Sequence, residues 1–162
     1  MIILGIDPGF AITGYGVIEC QGNHLKMLEY GVVSTKAGTP FTWRLLQIRD
    51  QLNELLAKYK PDACAVEELF FNSNTTTAIQ VAQGRGVAIT TVADKGIPIF
   101  EYTPLQVKQS VVGYGRAEKK QIQEMTRMLL GLQKIPKPDD TADALALAVC
   151  HAHSANSLLK QI

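Results

Sequence analysis

A chain of 162 residues, with 46% hydrophobic and 19% charged residues, suits one soluble globular domain, and we expect residues 1–162 to form it. No apolar stretch approaches the roughly 18 residues of a membrane span, and the three well-separated cysteines predict neither a disulfide framework nor a zinc site. The net charge of +1 gives no overall signature for nucleic acid.

The first predicted element is a buried strand that ends in an acid. Residues 1–6 are apolar without a basic segment before them, which favours a strand over a signal peptide and predicts a cytoplasmic protein. Pro8-Gly9 turns the backbone directly after Asp7. An ionised carboxylate is costly to bury alone, so Asp7 needs a counter-charge, donors or a metal. The alternative is that it bonds the backbone of its own turn.

Two more strands and a helix follow. Residues 13–20 and 24–35 have strand composition and a short Gln21-Gly22-Asn23 connection, which predicts an antiparallel meander. Thr39 and Pro40 are typical of a helix N-cap and first helical position. The apolar spacing then predicts an amphipathic helix that stops before Lys60-Pro61.

A second acidic strand end lies at Glu67 and Glu68, after a short apolar run that begins at Asp62. Because successive strand residues point to opposite faces, only one of the two can face a given site, and periodicity does not choose between them. Phe70 and Phe71 come next, either as core packing at the strand end or as a stacking platform for a base.

Residues 75–93 predict a helix that contains Gly84, Arg85 and Gly86. Each glycine inside a helix costs about 1 kcal/mol relative to alanine, so the pair indicates close approach of another helix, a subunit or a phosphate chain. Residues 97–102 predict a strand in which Pro98 indicates either an edge position or the start of the strand. Thr103-Pro104 starts a helix that runs to about Val111.

The next helix, residues 118–130, should turn Ile122, Met125 and Leu129 inward. It belongs to a stretch, residues 102–134, that contains six basic and two acidic residues. Such a stretch is either a solvated helix face or, if an anionic ligand is implied independently, part of its binding surface.

The last helix begins near Pro138 and carries Asp140 and Asp143, which project from one face of its first turn. Helix capping is the structural alternative for these acids. The alanines after them make a slim helix that can pack close to the sheet. The tail after about residue 154 is expected to be flexible.

Together these acids predict a metal site. If the two acidic strands are parallel neighbours, their ends lie about 4.8 Å apart, which suits two divalent ions bridged by a shared carboxylate. A ligand set of oxygens alone favours Mg²⁺ or Mn²⁺ over zinc. The candidate ligands are Asp7, Glu67 or Glu68, Asp140 and Asp143.

Several motifs, in this order along the chain, resemble the RuvC family of bacterial Holliday-junction resolvases. They are Gly5-Ile6-Asp7-Pro8-Gly9, Thr13-Gly14-Tyr15-Gly16, Ala65-Val66-Glu67, residues 83–89, Gln106-Val107-Lys108, Ala117-Glu118-Lys119 and residues 140–146. The resemblance implies an α/β, ribonuclease H-like fold: a five-stranded mixed sheet with helices on both faces. It also implies a homodimer that uses Mg²⁺, for which Mn²⁺ can substitute, and that works with RuvA and RuvB on four-way junction DNA.

By matching position, the resemblance implies metal-binding carboxylates at Asp7, Glu67, Asp140 and Asp143, with Lys119 as a further catalytic residue. Asp139 lies beside Asp140, so the third position could shift by one. Phe70 falls where the family has an aromatic residue that engages a base. Candidate DNA-binding residues are Phe70, Arg85, Lys108, Arg116, Lys119 and Lys120.

Two other functions fit parts of the pattern. Actin-like ATPases and sugar kinases also begin with Gly-Ile-Asp-x-Gly, but they need two lobes to enclose a nucleotide. A protein that binds branched DNA without cutting it would share the basic residues, and a cleavage assay with Mg²⁺ against EDTA separates it from a nuclease.

Overall fold

One mixed sheet forms the centre of the fold. A computed structural model describes residues 1–68 and 75–159, and only the backbone of residues 75–76 and 156–159. The strands are β1 (Ile2–Asp7), β2 (Ile12–Gln21), β3 (His24–Ser34), β4 (Ala63–Glu67) and β5 (Ile99–Tyr102). Their order is β3-β2-β1-β4-β5, in which β1, β2 and β3 are antiparallel while β1, β4 and β5 are parallel. The predicted meander, and the edge position of the strand after Pro98, are confirmed.

Helices cover both faces of the sheet. They are α1 (Phe41–Tyr59), α2 (Thr75–Ala93), α3 (Pro104–Val112), α4 (Lys119–Leu129) and α5 (Asp139–Leu159). Side chains of α1 and α2 form a core with Leu4 and Ile6 of β1, whereas α3, α4 and α5 pack on the face that contains Ile3 and Ala65. Within the described residues, no helix has the length and apolar character to cross a membrane.

Two local predictions were wrong by one residue. Pro40 is the N-cap of α1 rather than its first residue, because its ψ of 141° is extended. Leu129, expected to point inward, is 36% exposed, and the buried positions near the end of α4 are Thr126 and Leu130. The Thr103 capping box of α3 and the end of α1 before Lys60 are as predicted.

Glycines let α5 lie directly on the sheet. A Cβ on Gly5 would lie 1.9 Å from the Ala144 carbonyl oxygen of α5, and one on Gly14 would lie 2.1 Å from that of Asp140. Both distances are far below van der Waals contact, so only glycine permits this approach. The register places Gly14 opposite Asp7, so the helix approaches closely where the first strand ends. The predicted slim, close-packed helix is confirmed, and α5 continues to Leu159, past the start of the predicted flexible tail.

Candidate active site

Two carboxylates stand at neighbouring strand ends. β1 and β4 are parallel, with Ile6 opposite Val66, so the next residues, Asp7 and Glu67, end adjacent strands. Alternation along each strand turns both toward the α5 face, since Ile3 and Ala65 of the same parity lie in the core beneath α5. Glu67 is half-buried and Glu68 is exposed, which supports Glu67 as the site residue.

The first turns of α5 bring two more carboxylates to this point. Asp140 and Asp143 both act on Asp7 electrostatically, as does Glu67. Asp139 faces lysines instead: its carboxylate lies 2.6 Å from Lys137 Nζ and 3.6 Å from Lys119 Nζ. The arrangement therefore favours Asp140 over Asp139 as the third ligand.

The cluster carries more negative charge than its surroundings balance. Burial, reinforced by Asp143, Glu67 and Asp140, raises the pKa of Asp7 to about 7. Burial and Asp143 also raise the pKa of Glu67. Burial raises the pKa of Asp143 as well, although its hydrogen bond from Lys119 opposes this shift. Such perturbed carboxylates are typical of functional sites.

Lys119 is the cation closest to the cluster within the described residues. Its Nζ donates to Asp143 Oδ2 at 2.9 Å, and this hydrogen bond raises the pKa of the lysine. Lys108 lines a pocket of about 220 Å³ together with Glu67, Lys119 and Asp143. The remaining lining is apolar, so the two lysines supply the positive charge beside the acids.

The alternative role for Asp7, bonding its own turn, is filled by another residue. Thr13 Oγ1 accepts a hydrogen bond from the Gly9 amide at 3.3 Å and donates one to the Gly9 carbonyl at 2.8 Å. In the described part of the chain, the Asp7 carboxylate has no hydrogen-bond donor in this turn. The turn is held without it, which leaves Asp7 available to the cluster.

The donor set fits hard divalent cations. Its members are carboxylate oxygens, the ligands that Mg²⁺ and Mn²⁺ prefer, and the raised pKa of Asp7 reflects negative charge that a cation would relieve. As the side chains stand, no three acidic, histidine or cysteine residues of the described ranges are arranged to hold a metal ion. One carboxylate oxygen of Asp143, Oδ2, accepts a hydrogen bond from Lys119.

The other predicted DNA-binding residues differ in their surroundings. Arg116 and Lys120 are exposed around the start of α4. Arg85 has a side chain only 13% exposed, paired with Glu101 at 3.0 Å. Phe70 lies outside the described residues. These four assignments remain predictions.

Within the described residues, a close approach is found at only one of the paired glycines of α2. A Cβ on Gly84 would lie 3.0 Å from the Gly9 carbonyl oxygen, so its neighbour within the chain is the turn between β1 and β2 rather than another helix. For Gly86, no described atom lies within 4 Å of such a Cβ. Gly84 thus lets α2 support the turn that follows Asp7.

Comparison with known proteins identifies the family. The sequence model of one protein family, crossover junction endodeoxyribonuclease RuvC, matches residues 3–151. The chain belongs to the RuvC family. It is thus assigned to a family of endodeoxyribonucleases, and the predicted resemblance is confirmed.

Relatives match the RuvC-family chain over nearly its full length. The RuvC of Ruminiclostridium cellulolyticum is 59% identical over 154 residues, which cover 95% of this chain and 93% of the relative. That of Desulfitobacterium hafniense (strain DSM 10664 / DCB-2) is 60% identical over 158 residues, covering 98% and 96%. A structure of Thermus thermophilus RuvC in complex with Holliday junction substrate has a TM-score of 0.91 at 36% identity, covering 97% and 96%. The predicted ribonuclease H-like fold is confirmed.

Sequence reasoning missed three features of this RuvC-family site. It did not identify Gly5 and Gly14 as the positions on which α5 packs, although glycines recur along both paired strands, with Gly5 opposite Gly16 and Gly14 opposite Asp7. It also missed that Asp139 engages Lys119, and that Arg85 is turned inward. Neither of these contacts has a signal in local sequence, because the partners are distant along the chain.

Proposed function

We propose that this protein resolves four-way DNA junctions by hydrolysing phosphodiester bonds at the acid cluster. The observation that carries the proposal is the convergence of Glu67, Asp140 and Asp143 on Asp7, whose pKa they help to raise to about 7. Family membership supports it, as does the T. thermophilus relative in complex with Holliday junction substrate.

Asp7, Glu67, Asp140 and Asp143 would hold two Mg²⁺ ions, for which Mn²⁺ can substitute. The bound ions would supply an activated water for attack on phosphorus and stabilisation of the leaving 3′ oxygen, so that the products carry a 5′ phosphate and a 3′ hydroxyl. The protein must provide these carboxylates in ionised form. The raised pKa of Asp7 therefore predicts that metal binding strengthens as the pH rises toward 7 and beyond.

The lysines of the pocket would act on the DNA backbone. Lys119, at the first position of α4, lies where it can stabilise charge on the phosphate, and its raised pKa keeps it protonated. Lys108, which lines the same pocket, would hold the backbone of the same strand. Arg116 and Lys120 extend this positive surface, and Phe70 would engage a base near the crossover.

A four-way junction has approximate two-fold symmetry, so a homodimer would present one acid cluster to each of two like strands and nick both. The exposed α2 side near Gly86 is the candidate for part of the dimer contact. RuvA and RuvB would be partners in branch migration, and the protein would act in recombination and repair in the cytoplasm.

Cleavage of a synthetic four-way junction tests the proposal. Purified protein should place paired, symmetric nicks in the junction with Mg²⁺, and none with EDTA or in a linear duplex of the same sequence. Asp7→Asn should bind the junction but reduce nicking by about a thousand-fold or more, because a metal-binding carboxylate is lost.

Asp50→Asn is the matched control, since Asp50 is an exposed acid paired only with the neighbouring Arg49 among the described residues. This variant should cut like the wild type. Nicking retained by Asp7→Asn would refute the role of the acid cluster. Intact junctions with both Mg²⁺ and EDTA, despite tight binding, would instead identify a junction-binding protein.

A further inference from the structure

Arg85 contacts the backbone of Glu67 and the side chain of Glu101 rather than a carboxylate of the acid cluster. Its Nη2 donates to the backbone carbonyl of Glu67 at 3.3 Å and pairs with Glu101 Oε1 at 3.0 Å. The side chain is only 13% exposed, and its Nε is shielded from solvent. A guanidinium held this way links α2 to the ends of both β4 and β5.

The Glu67 carbonyl needs such a donor because the sheet ends there. The amide of Cys64 donates to the carbonyl of Pro98, just before β5, and that of Glu68 donates to Tyr102 at the end of β5. Because backbone groups alternate in direction along a strand, Glu67 directs its own toward β1. By the register of Ile6 with Val66, the next donor on β1 would be the amide of Pro8. Proline has no N–H, and the parallel ladder therefore stops one bond short.

An unpaired carbonyl at the end of a central strand is costly, and Arg85 supplies the missing hydrogen bond. The peptide it fixes carries the side chain of Glu67. Glu101, which lies opposite Val66 in β5, accepts the second hydrogen bond of the same Nη2. Arg85 thus replaces the ladder bond that Pro8 cannot make.

The contact reaches the Glu67 backbone, not its carboxylate. The groups that shift the pKa of the Glu67 side chain are burial, Asp143 and Lys119. The positive charge of Arg85 is paired with Glu101, so it does not compete with a cation for the acid cluster.

We infer that Arg85 is a positioning residue that fixes the end of β4 and thereby aims the Glu67 carboxylate into the metal site. The inference rests on the proposed function, because it assigns Glu67 to a divalent cation. It also replaces the role in DNA binding that the charge of Arg85 had predicted.

The test separates metal binding from junction binding. Arg85→Met and Glu101→Gln are compared with Arg49→Met, which removes an exposed arginine paired with its neighbour Asp50. Mn²⁺ binding to the DNA-free protein is measured by calorimetry, and junction binding in EDTA by gel shift. Thermal unfolding verifies that each variant is folded.

Arg85→Met should weaken Mn²⁺ binding about tenfold, as changes in groups that orient a metal ligand commonly do, with junction affinity in EDTA unchanged. Glu101→Gln should weaken it by less, and Arg49→Met should have no effect. In a Glu67→Gln background, the loss caused by Arg85→Met should disappear, because the side chain it positions no longer binds metal.

Two results would overturn the inference. Unchanged Mn²⁺ affinity combined with weakened junction binding would return Arg85 to the DNA interface. An equal loss of Mn²⁺ affinity with and without Glu67 would indicate a general loosening of the sheet. Failure of the wild type to bind Mn²⁺ would instead count against the proposed function itself.

Discussion

Two carboxylates on opposite faces of the same sheet have opposite surroundings. Glu29 of β3 accepts hydrogen bonds from Lys58, Tyr59 and Tyr15, and those from Lys58 and Tyr59 are the main cause of a pKa lowered to about 2. Asp7 has burial and other carboxylates around it, and its pKa is raised to about 7. One site stabilises the charge of its acid, and the other opposes it.

The difference shows how a structural acid and a functional acid can be distinguished without a ligand. Three donors form hydrogen bonds to the ionised carboxylate of Glu29, so its ionisation stabilises the folded protein. At Asp7 the folded protein loses stability on ionisation unless a cation arrives. The excess negative charge, rather than the number of acids, is what favours a bound cation at the proposed site.

The largest effect expected from this comparison is on the stability of the metal-free protein at alkaline pH, when Asp7 is replaced. The pKa of Asp7 rises from 3.8 to about 7 on folding, so between these values the folded state binds more protons than the unfolded state and stability falls as the pH rises. Asp7→Asn should therefore be more stable than the wild type in EDTA at pH 8, by about 3 kcal/mol, and equally stable near pH 3.5. Urea unfolding across this pH range measures the difference.

Mg²⁺ provides the control for this prediction. Saturating Mg²⁺ should stabilise the wild type at pH 8 and have little effect on Asp7→Asn, because a cation that binds only the folded state shifts unfolding. If the variant were less stable than the wild type in EDTA at pH 8, the ionised Asp7 would not destabilise the metal-free folded protein, and the comparison would fail.

The next largest effect on stability is expected at Gly14, the glycine on which the first turn of α5 packs. Gly14→Ala would place a methyl group 2.1 Å from the Asp140 carbonyl oxygen, so the first turn of the helix must move. We expect a loss of about 2–3 kcal/mol in the free energy of unfolding, because the methyl group meets a backbone carbonyl, which cannot move aside as a flexible side chain could. Mn²⁺ binding should weaken as well, since Asp140 moves with the helix, and calorimetry measures it.

Gly86→Ala is the matched control, since no described atom lies within 4 Å of its Cβ. Alanine in a helix interior should raise stability by up to about 1 kcal/mol and leave Mn²⁺ binding unchanged. Equal behaviour of the two variants would mean that α5 does not depend on Gly14 for its position.

Much of the fold could be predicted because its signals are local. The change from alternating to helical spacing after residue 35 predicted α1 after the three-stranded meander, and Thr103-Pro104 predicted the start of α3. Asp7 and either Glu67 or Glu68 were expected to be neighbours on the condition that their two short apolar strands are parallel and adjacent, which they are. The family resemblance then favoured Glu67 over Glu68.

What could not be predicted depends on partners that are distant in sequence. Arg85 had the charge of a DNA-binding residue, and only the register of β1 with β4 reveals the carbonyl that it bonds. Glu29 was not singled out, because its donors Lys58 and Tyr59 lie about thirty positions later, and packing of α1 on the sheet brings them together. The Leu129 error has the same origin, since the neighbours of α4 decide which positions it buries.

The smallest predicted effect is at Glu29, and it has the opposite sign to that at Asp7. A pKa lowered from 4.5 to about 2 contributes stability above pH 4.5, and this contribution is lost as the pH falls toward 2. Glu29→Gln should destabilise the protein by about 1–2 kcal/mol at pH 7, allowing for the 30% exposure of the side chain, and by progressively less below pH 4.5. Urea unfolding measures it, and Mg²⁺ should not alter the difference. Junction cleavage by this variant should match that of the wild type, because the Glu29 side chain faces α1 while the acid cluster lies under α5. If the variant lost cleavage while its free energy of unfolding stayed at the wild-type value, both carboxylates would be functional, and the distinction between them would fail.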